Sequence, residues 1–324
     1  MPGIVSLLPS ATEWVFALGL DADLRGVTFE CDEPADAAIG RDVVVHGLQT
    51  TDSKGHPLAP AAVDALVRDR LAAGEPLYTL DTGALARIGP DVVLTQDLCA
   101  VCALPADAAR EACELVGNPA QLVTLDPHTL SEVLDGATAV AGACGKPARG
   151  ERLRARLRQR LDAVTVGVRG LPRPRVLVLE WTDPPFVAGH WVPELVTAAG
   201  GEPLLAAPGA RSTTTTWDEA ARAAAGADAV LVAPCGYGLD DAARQAATVL
   251  HRLPVAPAVW AVDAGAVVTR PGPRVVDGVE ALAAAWHRVG TTRPDLVRQV
   301  RPPAADRASL GHRTGGNAPP FPLR

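Results

Sequence analysis

The strongest constraint on this chain is the regular alternation of short apolar runs with Ala/Leu-rich amphipathic segments. Apolar runs of a few residues bounded by turn residues read as buried strands. Helical segments between them let successive strands lie parallel, so the pattern predicts an α/β protein. Strands are expected at residues 4–8, 43–45, 92–95, 122–124, 176–179, 229–232, 258–261 and 267–268. Helices are expected at 11–18, 60–73, 106–115, 129–143, 193–199, 217–225, 239–250 and 279–289. Residues 148–164 contain no Pro or Gly other than Gly150 and carry an apolar stripe at Leu153, Leu157 and Leu161, which predicts one helix with its other faces charged. A Pro- and Gly-rich stretch at 167–175 closes it.

The two halves on either side of that helix resemble each other. "ARIGPDVVLTQDLC" (86–99) and "AAGADAVLVAPC" (224–235) both run from a helix end through Gly and Asp into a buried strand and a loop Cys. The expected organisation is an N-terminal α/β lobe over 1–147, a bridging helix over 148–166, a C-terminal α/β lobe over 167–290 and a mobile Pro/Arg-rich tail over 291–324, against the alternative that generic α/β units look alike by chance. In open α/β sheets ligands sit beyond the carboxyl ends of the strands. Two such lobes therefore imply a cleft between them.

Composition limits the functional classes. The chain has 324 residues, a net charge of −7 and no basic block, which argues against a nucleic-acid binder. No apolar stretch approaches 18 residues, so no membrane span is expected. The first residues carry neither a basic n-region nor a cleavage-type site, so a cytoplasmic location is expected and the six cysteines are expected as thiols or metal ligands. Neither a phosphate-binding Gly-rich motif nor HExxH nor GxSxG is present.

The residues with chemical potential fall in loops that follow strands. Cys99 and Cys102 form a CxxC pair, and Cys31 and Cys235 lie in two other loops of the same kind. Together they suit a four-Cys zinc or iron–sulfur site, or alternatively they shape tight loops. Cys113 and Cys144 read as core thiols. The segment Glu180 to Trp191 holds Trp181, Phe186, His190 and Trp191 outside any periodic element. Aromatic walls with a few polar groups hold a large flat ligand, although a local aromatic plug at the hinge fits the same residues. His190 suits an axial metal contact or a plain hydrogen bond. Glu30 and Glu180 can accept hydrogen bonds from a ligand or cap helices, and Tyr237 lies in the loop of Cys235.

The segments "IVSLLPSATEWVFALGL", "GVTFECDEP", "LARIGPDVVLTQDLCAVCAL", "RVLVLEWTDPPFVAGHWVPELVTAAGGEPLL" and "RPGPRVVDGVEALA" resemble, in order and spacing over residues 3–288, the BtuF-like cobalamin-binding branch of the class III substrate-binding proteins of ABC transporters. The resemblance implies a class III periplasmic-binding-protein fold: two Rossmann-like lobes bridged by one long helix. It also implies a corrinoid such as cobalamin, a haem or another metal chelate as ligand, and an ABC permease as partner. Two functions are therefore expected in competition: binding of a cobalamin-like macrocycle by Glu30, Glu180, Trp181, Phe186, His190, Trp191 and Tyr237, or a metalloenzyme or redox protein with zinc or an iron–sulfur cluster on Cys31, Cys99, Cys102 and Cys235.

Overall fold

The apolar runs become the central strands of two sheets. The computed structural model describes residues 2–48, 50–51, 58–97, 104–117, 119–253 and 258–301. In the N-terminal half the order is β1 (Ile4–Ser6), α1 (Pro9–Ala17), β2 (Leu24–Thr28), β3 (Asp42–Gly47), α2 (Pro60–Ala72), β4 (Tyr78–Leu80), α3 (Thr82–Ile88), β5 (Val92–Thr95), α4 (Ala106–Leu115), β6 (Gln121–Thr124) and α5 (Leu130–Ala143). The long helix α6 (Pro147–Gly167) follows. The C-terminal half contains β7 (Arg175–Thr182), β8 (Pro185–Val187), α7 (Val192–Ala198), β9 (Glu202–Leu204), β10 (Thr213–Thr214), α8 (Trp217–Ala225), β11 (Ala229–Val232), α9 (Leu239–Arg252), β12 (Ala258–Val262), α10 (Ala264–Val267), α11 (Val275–His287) and β13 (Val297–Val300).

The first sheet has the strand order β4-β3-β2-β1-β5-β6, parallel except for β4. The second runs β10-β8-β7-β11-β12-β13, with β9 parallel to β7, and its β8, β10 and β13 are antiparallel additions. In each half the opening strand lies between the strand that follows it by one helix and the strand of the repeated Asp motif. The Asp of that motif does the same work twice. Asp91 Oδ2 accepts the backbone N–H of Gly3 at 2.7 Å, and Asp228 Oδ2 accepts that of Arg175 at 2.7 Å. Each carboxylate thus satisfies a donor at the start of the neighbouring strand and sets its register.

One apolar core runs through both halves, from Ile4 and Trp14 through Leu153, Leu157 and Leu161 of α6 to Val176, Leu195 and Leu282. Smaller cores lie on the outer face of each sheet. Helix α6 seats against α5 because Gly150 has no side chain: a Cβ there would lie 2.7 Å from the carbonyl oxygen of Ala137. Two helix starts carry reciprocal side-chain caps: Thr129 with Glu132 and Thr216 with Glu219 form capping boxes.

Two expectations are corrected, and one central strand was not among those expected. Residues 267–268 are not a strand, because the Asp263 side chain accepts the N–H of Ala266 at 3.0 Å and starts the short helix α10. Strand β2 lies inside its sheet although Arg25 and Gly26 break its apolar run. Part of the segment expected as a mobile tail is strand β13, paired with β12 and tied by Arg298 to Asp240 at 2.9 Å. The tail beyond Arg301 lies outside the described residues. Among those described, no helix is long and apolar enough to cross a membrane.

Candidate functional site

Loops leaving the carboxyl ends of the two sheets meet, and contacts on two flanks hold the halves together. On one flank Glu13 of α1, only 4% exposed, faces the α10–α11 loop. Arg274 clamps it with Nη2–Oε1 at 2.8 Å and Nε–Oε2 at 3.1 Å, and Arg270 Nη1 lies 3.5 Å away. Arg270 also holds Asp32 at 2.5 Å and donates to the carbonyl of Glu30, while Arg274 reaches Glu33 at 3.4 Å. Burial pushes the Glu13 carboxyl above the ordinary carboxylate value, and Arg274 and Arg270 pull it back. Trp14 Nε1 donates to Pro271 O at 3.1 Å beside them. Gly272 makes room, since a Cβ there would sit 2.8 Å from Glu13 Oε2.

On the other flank the β6–α5 loop meets the loops around α7. The Glu194 carboxylate accepts the N–H of Leu130 at 2.6 Å. The His128 and His190 rings, one from each half, lie 5.7 Å apart, and His128 Nδ1 is 3.4 Å from Gly209 O. His190 adopts φ 53° and its Nε2 is buried without a hydrogen-bond partner among the described residues. Burial first, then His128 and Arg211, hold its pKa below the usual imidazole value.

Between the flanks stands the aromatic group. Trp181 on β7 lies directly across from Phe186 on β8, so both side chains point to the same face of the hairpin. Trp181 Nε1 is bound to Asp183 O at 3.1 Å, and its ring faces Tyr237 at 5.7 Å and 53°. The Tyr237 hydroxyl reaches Leu58 O of the opposite half at 3.5 Å. Burial, then Asp241, raise its phenol pKa, so it stays protonated at neutral pH. Glu30 is half-buried near Arg270; burial raises its carboxyl pKa, Arg270 pulls it back and Asp32 adds a smaller upward push. Glu180 is half-buried on β7, and its carbonyl accepts the N–H of Cys235 at 3.0 Å.

The expected set is therefore only partly assembled. Trp181, Phe186 and Tyr237 come together, Glu180 precedes Trp181 on β7, and Glu30 lies in the loop after β2. Trp191 does not line the cleft: it is buried in the shared core with Nε1 bonded to Val268 O at 2.8 Å. His190 belongs to the flank seam rather than to the aromatic group. Cys31 is a core thiol, with Sγ 3.0 Å from Thr12 Oγ1 and accepting the N–H of Thr28 at 3.4 Å, and burial raises its pKa. That setting does not offer a thiolate to a metal. Cys99 and Cys102 lie outside the described residues, Cys235 is half-buried, and no three His, Cys, Asp or Glu side chains converge among the described residues. Cys113 and Cys144 are buried thiols, as expected.

Sequence reasoning missed Glu13, Arg270, Arg274 and His128 as contacts between the halves. It also missed Phe29, 46% exposed at the end of β2 next to Glu30, and the buried Thr95 hydroxyl at the end of β5, which has no partner among the described residues. The only sequence signals were a lone Glu within an apolar helix and two Arg four apart in "RPGPR".

No protein-family model and no curated protein matches the sequence. Solved structures do match. A periplasmic heme-binding protein from Pseudomonas aeruginosa superposes with a TM-score of 0.67 at 20% identity, over 93% of this chain and 99% of that one. The periplasmic heme-binding protein RhuT from Roseiflexus sp. RS-1 gives 0.62 at 22% identity over 90% and 99%. The periplasmic vitamin B12-binding protein BtuF of Vibrio cholerae gives 0.58 at 19% over 87% and 95%. With both chains covered almost end to end, the chain has the fold of the class III periplasmic binding proteins, two α/β lobes bridged by one long helix.

Proposed function

We propose that the chain is a substrate-binding protein that holds a flat metal chelate of the tetrapyrrole kind, a haem or a corrinoid such as cobalamin, in the cleft between its lobes. The observation that carries this reading is the aromatic group of Trp181, Phe186 and Tyr237 on the C-terminal lobe, with Phe29 exposed at the end of a strand in the other. Aromatic faces suit a planar macrocycle, and Glu30 with Glu180 supplies polar contacts at its edge. Heme and vitamin B12 are what the similar structures bind by their names, which supports the ligand class. Handover to an ABC permease follows from the same reading. Absorption titration with hemin and with cyanocobalamin tests it. Saturation at one ligand per chain, weakened about tenfold or more in Trp181→Ala, supports the reading. Absence of saturable binding of either sinks it.

A further inference from the structure

Helix α6 is unusual for a chain with a net charge of −7: Arg149, Arg152, Arg154, Arg156, Arg158 and Arg160 follow one another along it, after Lys146 at its N-cap. Its first turn holds no acidic residue. Positive charge near a helix N-terminus opposes the helix dipole, and like charges four apart repel, so this arrangement works against the helix that carries it. Most of these arginines have local partners. Arg149 Nη1 donates to the carbonyls of Leu18 (3.2 Å) and Gly19 (2.7 Å) at the end of α1. Arg154 pairs with Asp135, Arg158 with Asp162, and Arg160 with Asp277 and Glu280. Arg152 and Arg156, four apart and both exposed, have no hydrogen bond or ion pair among the described residues.

The two unpaired guanidinium groups share a place. Together with Arg149, Gln159, Leu18 and Leu153 they line a groove of about 580 Å³ between the end of α1 and the outer side of α6. The groove belongs neither to the cleft nor to its flanks. We propose that it docks an acidic peptide segment of a protein partner, with carboxylates taken by Arg152 and Arg156 and small apolar side chains resting on the exposed Ala17 and Ala155. Guanidinium forks match carboxylates two bonds at a time, and local positive charge on a chain of net negative charge attracts an anionic partner. The groove is concave, so a chain segment fills it and a flat bilayer does not. Two free arginines are too few to track a nucleic-acid backbone. The groove is open along its length, whereas small-ligand sites enclose most of their ligand.

The test is fluorescence anisotropy of the full chain with a fluorescein-labelled peptide of about twelve residues, mainly Glu and Asp with two Ala, at about 20 mM salt, where surface charge is weakly screened. The proposal expects saturable binding that weakens at least about tenfold in R152Q/R156Q and is unchanged in R158Q, whose partner Asp162 lies off the groove. Removing the two charges is also expected to leave the melting temperature equal or higher, since they oppose the helix. Lack of saturable binding, equal binding by R152Q/R156Q, or a lower melting temperature in that variant overturns the proposal. So does binding of inorganic phosphate or of vesicles rich in anionic lipid without binding of the peptide.

Discussion

Replacing Glu13 by Ala tests whether the buried ion cluster fastens the two lobes. Removing one member of a buried ion pair costs about 3–5 kcal/mol. Here the stranded Arg270 and Arg274 keep Asp32 and Glu33, whose side chains are 68% and 45% exposed, so part of the lost interaction is recovered near water. A cost at or just below the bottom of that range, about 2–3 kcal/mol, is therefore expected. With an unfolding entropy of about 2.1 cal/mol/K per residue, a chain this long loses about 3–4 °C in Tm. Calorimetry at neutral pH reads this directly, and Glu13→Gln, which keeps the shape and one acceptor, is expected to lose less. Arg274→Ala supplies a second readout. It leaves the buried carboxyl with Arg270 alone, so the Glu13 pKa, already raised, rises further. A carboxyl with a raised folded pKa adds stability below its unfolded value and loses it as pH rises through the folded one. The deficit of Arg274→Ala is therefore larger at pH 7.5 than at pH 5. A Tm for Glu13→Ala within about 1 °C of the parent, or a pH-independent deficit for Arg274→Ala, refutes the reasoning.

Other outcomes follow from the packing and the titrating groups. Gly150→Ala forces a methyl group against the Ala137 carbonyl and is expected to cost about 1–3 kcal/mol, read by thermal melting. His190 and His287 have imidazole pKa values lowered mainly by burial. Each adds stability above its unfolded value of about 6.5 that is lost as pH falls through its lower folded value, so Tm falls as pH drops below about 6.5. A His190→Asn, His287→Asn double variant flattens that slope, and an unchanged slope counts against the assignment. Brief alkylation of the native protein followed by peptide mass spectrometry is expected to label Cys235 and spare Cys31, Cys113 and Cys144, which are buried; equal labelling contradicts the burial of Cys31.

What could be read from the sequence follows the physics of burial. Residues 92–95, 176–179 and 229–232 are strands buried on both faces, and such strands appear as unbroken apolar runs. The stripe of Leu153, Leu157 and Leu161 likewise marked the buried side of α6. β2 escaped because Gly26 is flush against Ile88, Val44 and Val5, where a side chain would crowd, and so interrupts the apolar signal of a central strand. The edge strand β13 needs few apolar residues and resembled tail.

The site was legible where neighbours in sequence are neighbours in space. Trp181 and Phe186 share one hairpin, and their pairing follows from it. Trp191 sits in the same loop, yet its N–H finds Val268 O, 77 residues away, and takes the ring into the core. Glu13 meets Arg274 across 261 residues, and no local spacing announces such a pair. Cys31 was grouped with loop cysteines by position, whereas Thr12 and Thr28 had already claimed its sulfur.

The central claim, a cleft that grips a flat metal chelate by its aromatic side, is tested most directly by titrating hemin and cyanocobalamin into the ligand-free protein while following ligand absorbance and tryptophan emission. One of them is expected to saturate at one per chain with quenching that is largely lost in Trp181→Ala, a variant that removes a half-buried ring and whose folding is checked by its melting curve. Saturation with full affinity in Trp181→Ala, or no saturation by either ligand, contradicts it.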